Sequence, residues 1–364
     1  MNKNDIGYNS FFESERNRLG LGEFSVARVT SESRGAYKVK NENGEYLAKI
    51  TGKQMFEAKE REDYPAVGDW VAMKDLGDER AEIVSILPRA TMLKRKHGDK
   101  SRLKGKDKTQ VIASNIDVAF IVESVGRDYN LNRFERYLAI AKNGKVEPII
   151  VLNKVDLISK EELKEKLTQI QNRIPGVEVL SVSAVKEGGE NEIKKHIQKG
   201  KTYCFLGSSG VGKSSLINRL LGKSVIRTED ISLYSDRGKH VTTVRQMYFL
   251  EDGGIVIDNP GVREVGLATD AREGVEDFFQ EITTLAEECK YTDCAHVNEP
   301  GCAVLKAVRS GKLDEEKYSN FIGLKKETEY NEMSGLEKKE KDRQFGKFIN
   351  KAKKDFKKIG HKDY

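Results

Sequence analysis

The sequence predicts a chain in three parts: a small N-terminal β-barrel of the OB type, a central α/β region on a parallel sheet, and a mainly helical C-terminal region with a set of metal ligands. Three observations carry this. Five short strand-like segments broken by turn residues fill the stretch from Phe24 to about Leu87. From residue 111 onward, strands and helices alternate. Three of the four cysteines fall with a histidine inside fourteen residues, at Cys289, Cys294, His296 and Cys302. A chain of 364 residues, 37% hydrophobic and 34% charged, has room for two or three units that each bury a core.

The five N-terminal segments are "FSVARVT", "GAYKVKN", "EYLAKITG", "DWVAMKD" and "AEIVSIL". Their number and spacing suggest a small barrel or sandwich and fit a five-stranded OB barrel, although another small β-domain has the same pattern. Residues 1–20 read as a weakly structured lead-in. Residues 94–108, "KRKHGDKSRLKGKDK", hold eight Lys or Arg against two Asp and read as an exposed, mobile linker. Such a strip is either a solvated hinge or a contact for nucleic-acid phosphates.

In the central part, Val118–Val122 reads as a buried strand. "NLNRFERYLAIAKNG" is a helix with Asn130 or Asn132 as N-cap and Gly144 beyond its end. "EPIIVLNK", "GVEVLSVSA" and "TYCFLG" are further strands, separated by helices in "SKEELKEKLTQIQNR", starting at Ser159, and "NEIKKHIQKG". Alternation at this length implies parallel strands with helices on both faces. The remainder, from about residue 271, turns helical.

Composition sets limits. Lys plus Arg is 64 against 58 acidic residues, a net charge of +6, too mild to identify a polyanionic partner. The polar start "MNKNDIGYNS" does not look like a signal peptide. No apolar run approaches the ~20 residues of a membrane span. Four cysteines in this length make no disulfide framework, so a reducing cytoplasm is the simplest compartment. No membrane partner and a monomeric state are expected.

The chemistry starts at "GSSGVGKSS", Gly207, Ser208, Ser209, Gly210, Val211, Gly212, Lys213, Ser214 and Ser215. It matches the phosphate-loop pattern at every fixed position and lies between a strand and the helix "SLINRLLG". Glycines let the backbone wrap a polyphosphate, and the helix N-terminus adds partial positive charge. Lys213 can span the β- and γ-phosphates, and the Ser214 hydroxyl can ligate magnesium.

A phosphate loop does not choose its base. "VLNKVDL" supplies an N-K-x-D tetrad, Asn153, Lys154, Val155 and Asp156, at the end of an apolar strand. The Asp156 carboxylate can accept from N1–H and the exocyclic amine of guanine. Adenine has no donor at the first position, a difference of roughly 2–4 kcal/mol for charged hydrogen bonds. Ser183 and Ala184 at the next strand end resemble the S-A pair whose backbone N–H meets the guanine oxygen. The order is unusual: tetrad and S-A pair precede the phosphate loop by more than fifty and more than twenty residues. Chain ends on a parallel sheet can be rejoined elsewhere on its surface, so a rotated order leaves the site unchanged.

Past the phosphate loop, "GKHVTTVRQ" offers Thr242 or Thr243 as a magnesium-sensing threonine of a first switch. "GGIVIDNPG" ends in D-x-x-G, Asp258 to Gly261: Asp258 can hold magnesium through water, and the Gly261 N–H can bond the γ-phosphate. Magnesium ligands would thus be Ser214, Thr242 and Asp258. Val262 follows Gly261 where a water-orienting Gln often stands, and valine cannot serve. His240 is the internal candidate for that catalytic task, and an exposed loop histidine is the plainer reading. The C-x4-C-x-H-x5-C spacing of Cys289, Cys294, His296 and Cys302 makes a closed tetrahedral zinc set, hence a structural metal. Residues 337–364, with eleven Lys or Arg against five acidic residues, read as an amphipathic helix that packs on its own domain or approaches RNA phosphate.

The motifs together resemble the RsgA-type circularly permuted GTPases. The residues that carry this are "NKVDL", "GSSGVGKSSLIN", "DNPGVREVGL", "CKYTDCAHVNEPGCAV", and in the barrel "VTSESRGAYKV", "YPAVGDWV" and "LPRATMLKRK", with "KKEKDRQFGKFI" near the end. The likeness spans about residues 20–355. It implies an OB-fold RNA-binding domain, a permuted GTPase domain and a zinc-binding helical domain, which with the segments between them give a division into a lead-in without a clear family role (1–20), the OB-fold (21–93), a basic linker (94–110), the GTPase domain (111–270) and the zinc-binding domain with its basic tail (271–364). It further implies GTP hydrolysis stimulated by the small ribosomal subunit, rRNA contact, GTP and GDP as ligands, and a histidine at the place of His240 that serves hydrolysis. Val241 stands where the family often has threonine. The alternative is an RNA-binding module whose nucleotide acts only as a conformational clamp.

Overall fold

The structure is a computed structural model that describes residues 1–33, 35–97, 108–126, 129–226, 245–258 and 266–359. The five expected N-terminal strands are β1 (Ser25–Ser33), β2 (Ala36–Lys40), β3 (Glu45–Ile50), β4 (Trp70–Gly77) and β5 (Arg80–Ile86). They run in the order β1-β2-β3-β5-β4, and β4 returns to β1, which closes the barrel. Its interior is filled by Val29, Tyr37, Val39, Val71, Met73 and Ile83 among others.

The first twenty residues correct the expectation of a weakly structured lead-in. They form a 3-10 turn, Asn4–Ile6, and helix α1 (Ser10–Arg18) capped by the Asn9 side chain. Ile6, Tyr8 and Phe12 are buried against Val26, Trp70 and Leu87 on the outer wall of the barrel. Three apolar side chains in so polar a run give no amphipathic signal, and only the tertiary partner makes them a core. The segment also holds a junction. The buried Arg28 guanidinium donates to the carbonyls of Ile6 (2.7 Å), Gly68 (3.3 Å) and Asn115 (2.9 Å), one from each converging segment.

The basic strip is a second correction. Between β3 and β4 lies a short helix, α2 (Gly52–Glu57), and after β5 come β6 (Met92–His97) and β7 (Lys108–Ser114), which pair antiparallel. Residues 98–107 lie outside the described residues. The Lys94 ammonium lies 2.9 Å from Glu62 and 2.7 Å from Asp270, and Lys96 donates to Asn331 at 2.9 Å. These partners are remote in sequence, so local composition could not show that this half of the strip is tied down.

The central sheet is built from β8 (Val118–Ser124), β9 (Glu147–Asn153), β10 (Val179–Ser181), β11 (Thr202–Leu206), β12 (Gln246–Phe249) and β13 (Ile255–Asp258). Its order is β10-β9-β8-β11-β13-β12, parallel except for β12, an antiparallel edge strand that the sequence reading missed. A bridge from Ser31 to Gln246 joins it to the barrel. Helices α3 (Leu131–Asn143), α4 (Lys160–Arg173), α5 (Asn191–His196) and α6 (Lys213–Leu221) cover it, and the caps at Asn130 and Ser159 are as read from sequence. Apolar residues on its two faces form separate cores.

The C-terminal helices are α7 (Arg272–Phe278), α8 (Gln280–Glu287), α9 (Ala303–Arg309), α10 (Glu315–Glu332) and α11 (Gly335–Ile359). Val275, Phe279, Ile282, Val304 and Phe321 extend the core on the α3 face rather than making an isolated one. A Cβ at Gly274 would lie 2.5 Å from the Ala139 carbonyl oxygen, so glycine permits the close crossing of α7 on α3. Glu327 of α10 takes a two-pronged bond from Arg136 of α3 at 2.9 and 2.7 Å and a third from the Leu267 N–H at 3.0 Å. The basic tail is indeed helical, as α11, with Leu336 and Phe345 exposed.

Candidate functional site

The phosphate loop leaves β11 at Gly207 and enters α6 at Lys213. Gly207, Gly210 and Gly212 have φ of 145°, 82° and 100°, a region that side chains disfavour. Space enforces the same choice. A Cβ on Gly207 would sit 2.2 Å from the Val122 carbonyl oxygen, and one on Gly212 2.3 Å from Asn153 Nδ2. Lys213 folds over the loop and donates to the carbonyls of Gly207 (2.8 Å) and Ser208 (2.7 Å). Burial pushes its ammonium down to about 8, against the opposing pull of Asp258 and Glu123.

The loops after β9 and β10, with the N-K-x-D tetrad and the S-A pair, meet this cradle directly. Asn153, wholly buried at the end of β9, donates from Nδ2 to the Val211 carbonyl at 2.8 Å. Its Oδ1 accepts from the Ala184 N–H at 3.3 Å. Lys154 has left-handed backbone, φ 63°, and its Nζ donates to Gly210 O at 2.7 Å. Asp156 lies in the 3-10 turn Val155–Leu157, where Ser183 Oγ donates to its Oδ1 at 2.5 Å. The tetrad, the S-A pair and the phosphate loop therefore share one edge of the sheet, at the C-terminal ends of β9, β10 and β11, the usual ligand edge of open α/β sheets.

Asp258 is buried at the end of β13, beside β11. Ser214 and Ser215 occupy the first turn of α6. Gly261, His240, Thr242 and Thr243 lie outside the described residues. Three contributors escaped the sequence reading. Arg219, on the same helix as the phosphate loop, donates to the carbonyls of Ala184 (2.9 Å), Val185 (3.1 Å) and Lys186 (3.0 Å). The Tyr137 phenol of α3 hydrogen-bonds with the Ser208 side chain, and burial raises its pKa. Glu123, buried at the end of β8, faces Arg133 at 3.3 Å. Each acts through a partner far away in the chain or at the end of another element, so none gave a local signal.

Cys289, Cys294, His296 and Cys302 present ligand atoms all within 4.8 Å of one another. The Cys289–Cys302 sulfur separation is 3.8 Å, and each of those sulfurs is 3.6 Å from His296 Nδ1. A tetrahedron with metal–sulfur bonds of about 2.3 Å and a metal–nitrogen bond of about 2.0–2.1 Å has edges of about 3.8 and 3.6 Å. The donor set thus fits a four-coordinate metal with no open position. Backbone N–H groups of Ala303 and Leu305 point at the Cys289 and Cys302 sulfurs at 3.3 and 3.4 Å, an arrangement that favours thiolates. His296 itself has φ 61°, and its carbonyl accepts from Tyr318 Oη at 2.5 Å.

A phosphate loop bonded to a tetrad that precedes it in the chain defines a GTP-binding protein of circularly permuted type. Comparison with known proteins agrees and goes further. The family model described as RsgA GTPase matches residues 86–268. "Small ribosomal subunit biogenesis GTPase RsgA 1" of Bacteroides thetaiotaomicron is 39% identical over 333 residues, 91% of each chain. The RsgA protein of Methanosarcina acetivorans is 43% identical over 284 residues, 77% of this chain and 74% of that one. Among solved structures, YjeQ from Thermotoga maritima superposes with a TM-score of 0.60 at 26% identity, covering 83% of this chain and 98% of that one. YloQ, described as a circularly permuted GTPase, shares the fold with a TM-score of 0.57. The chain belongs to the RsgA GTPase family.

Proposed function

We propose that this protein hydrolyses GTP while bound to the small ribosomal subunit and assists the late maturation of that subunit, with its turnover stimulated by it. The observation that carries the reading is the pair of bonds from Asn153 and Lys154 to Val211 and Gly210, which holds a guanine-type loop against a phosphate loop. The names of relatives that align over nine-tenths of the chain support the ribosomal partner. In this reading Asp156 accepts from the guanine edge, the Ala184 N–H donates to its oxygen, and Lys154 lies along its face. The backbone from Gly207 to Ser215 donates to the phosphates, and Lys213 turns from its carbonyl partners to the β- and γ-oxygens. Ser214, with Asp258 and a threonine of the 242–243 pair, would hold the magnesium that accompanies GTP and offsets its negative charge. His240 would orient the attacking water.

Cys289, Cys294, His296 and Cys302 would hold one zinc ion that fixes the loop between α8 and α9. The barrel, the β6–β7 arms and α11 supply the rRNA-facing surfaces. The protein would work as a monomer in the cytoplasm. Among the described residues no helix is long and apolar enough to cross a membrane. GTP turnover with isolated small subunits, large subunits and neither tests the reading. Stimulation by the small subunit alone is expected. Equal turnover in all three would favour an RNA-binding module whose nucleotide is only a clamp.

A further inference from the structure

We infer that Arg219 is a positioning residue for base selection: from the phosphate-loop helix it sets the orientation of the guanine-reading carboxylate of Asp156. The inference rests on the base-reading roles proposed above and adds one that the family motifs do not contain. Arg219 bonds three successive carbonyls, those of Ala184, Val185 and Lys186, so the whole turn after β10 is drawn onto α6. A peptide whose carbonyl faces one side presents its N–H to the other. The peptide joining Val185 to Lys186 shows this. Its carbonyl accepts from Arg219 at 3.1 Å, and its N–H donates to Ser183 Oγ at 3.3 Å.

That N–H occupies a lone pair of the Ser183 hydroxyl and leaves the proton free to go elsewhere. It goes to Asp156 Oδ1, at 2.5 Å. The guanidinium is thus linked to the carboxylate through one peptide and one hydroxyl, each with its donor and acceptor ends used in a single direction. Arg219 uses Nε for the Ala184 carbonyl and Nη2 for those of Val185 and Lys186, a rigid planar fork whose donor directions a rotating ammonium does not reproduce. Two further groups complete the frame: Asn153 Oδ1 takes the Ala184 N–H, and the Gly189 carbonyl takes the Ser183 N–H at 3.3 Å. Both hold in place the turn that carries Ser183, whose hydroxyl bonds Asp156.

The test compares ligands that differ only in what Asp156 reads. Inosine diphosphate lacks the exocyclic amine of GDP, so it forfeits one of the two bonds to the carboxylate. ADP and tripolyphosphate report the phosphate loop without that readout. Arg219→Ala should weaken GDP binding about tenfold and inosine diphosphate less, so that their affinity ratio falls by about threefold or more, on the scale of one charge-assisted bond. ADP and tripolyphosphate should be unchanged. Arg219→Lys should recover only part of the ratio. Melting curves followed by circular dichroism show whether each variant is folded, and Ser183→Ala, which removes the link without touching α6, should lower the ratio in the same way.

Asp156→Asn separates failure of this inference from failure of the reading beneath it. An amide there donates where the carboxylate accepted, so it should gain affinity for xanthosine diphosphate. If it does not, the base-reading assignment falls and this inference with it. If it does, and Arg219→Ala leaves the GDP to inosine diphosphate ratio intact or lowers all four ligands equally, Arg219 is a helix anchor and the inference alone is overturned.

Discussion

Asn153 Nδ2 and the Val211 carbonyl, 58 residues apart in the chain, are 2.8 Å apart in space. That bond joins the N-K-x-D loop to the glycine-rich loop that opens at Gly207, and it is made by a side chain with no exposure to solvent. Asn153→Ala removes it together with the bond from Ala184. The loss of both buried bonds, which takes this partner from the Val211 carbonyl and from the Ala184 N–H, should cost about 1–3 kcal/mol, or roughly a fivefold to hundredfold loss of GDP affinity. Asn153→Asp keeps the shape but sets an acceptor against the Val211 oxygen, so its loss should exceed that of alanine. Titration with a fluorescent GDP analogue measures both. Equal affinities for the two variants would mean that packing, not this bond, holds the loops together.

Lys213 gives two pH dependences of opposite sign. Burial lowers its pKa from 10.5 to about 8, so between those values the unfolded chain binds more protons than the folded one. Stability from this group therefore rises with pH across that window. Nucleotide binding runs the other way, because polyphosphate favours the ammonium. Affinity for GDP should fall above about pH 8, by at most ~10-fold per unit. Lys213→Arg keeps the charge at every pH used and should flatten this decline, which also removes any titration of the base from the comparison. Calorimetric titration at pH 7, 8 and 9 checks it; an unchanged slope in the arginine variant would locate the effect elsewhere.

What could be read from the sequence follows from how local each signal is. The phosphate loop was legible because its constraint is backbone space, met by three glycines at fixed spacing. The strands β8, β9 and β11 were legible because both faces are buried, which writes an unbroken apolar run. The tetrad was legible as residue types, but its place against Gly210 and Val211 depended on topology. What escaped were charged or polar residues whose partners lie far away. Arg219, Glu327 and Lys94 look solvated in any window of their own sequence, and each is committed to a partner more than thirty residues distant. The strand β12 escaped because its four residues, "QMYF", have no repeat to recognise.

The metal set makes a prediction about stability rather than chemistry. Four donors with no open position, in a loop from Cys289 to Cys302 that is largely exposed, mean that a bound ion would supply its binding energy as folding energy. Cys302→Ser should bind metal far more weakly, because an alcohol at neutral pH is a poor ligand beside a thiolate. Purified wild-type protein should carry one zinc per chain by elemental analysis and lose the α8–α9 loop's protection from proteolysis on chelation. The serine variant should be protease-sensitive from the start. GDP affinity should be little altered in either, since the cluster does not touch the phosphate loop. A chelated protein as protected as the untreated one would show that protein contacts alone hold the loop.

The N-terminal segment should stabilise the barrel and its junction with the sheet. Ile6 is fully buried, and Tyr8 packs its ring edge-on against Trp70 with centroids 4.7 Å apart. The Ile6 carbonyl is also one of three that satisfy the buried Arg28. Ile6→Ala removes the side chain and keeps that carbonyl, so it isolates the packing contribution, about 2–4 kcal/mol for a large-to-small change in a core. Deleting residues 1–9 removes both, leaves the guanidinium short of an acceptor, and should cost more. Trp70 is the chain's one tryptophan and lies inside this cluster. Its fluorescence therefore reports this junction without interference from the other regions. In urea the Trp70 transition should move to lower concentration in Ile6→Ala and further in the deletion, while GDP-binding loss, read in parallel, moves less. If the fluorescence midpoint of the deletion matched that of the full chain, residues 1–9 would be a passenger on the barrel rather than part of its core.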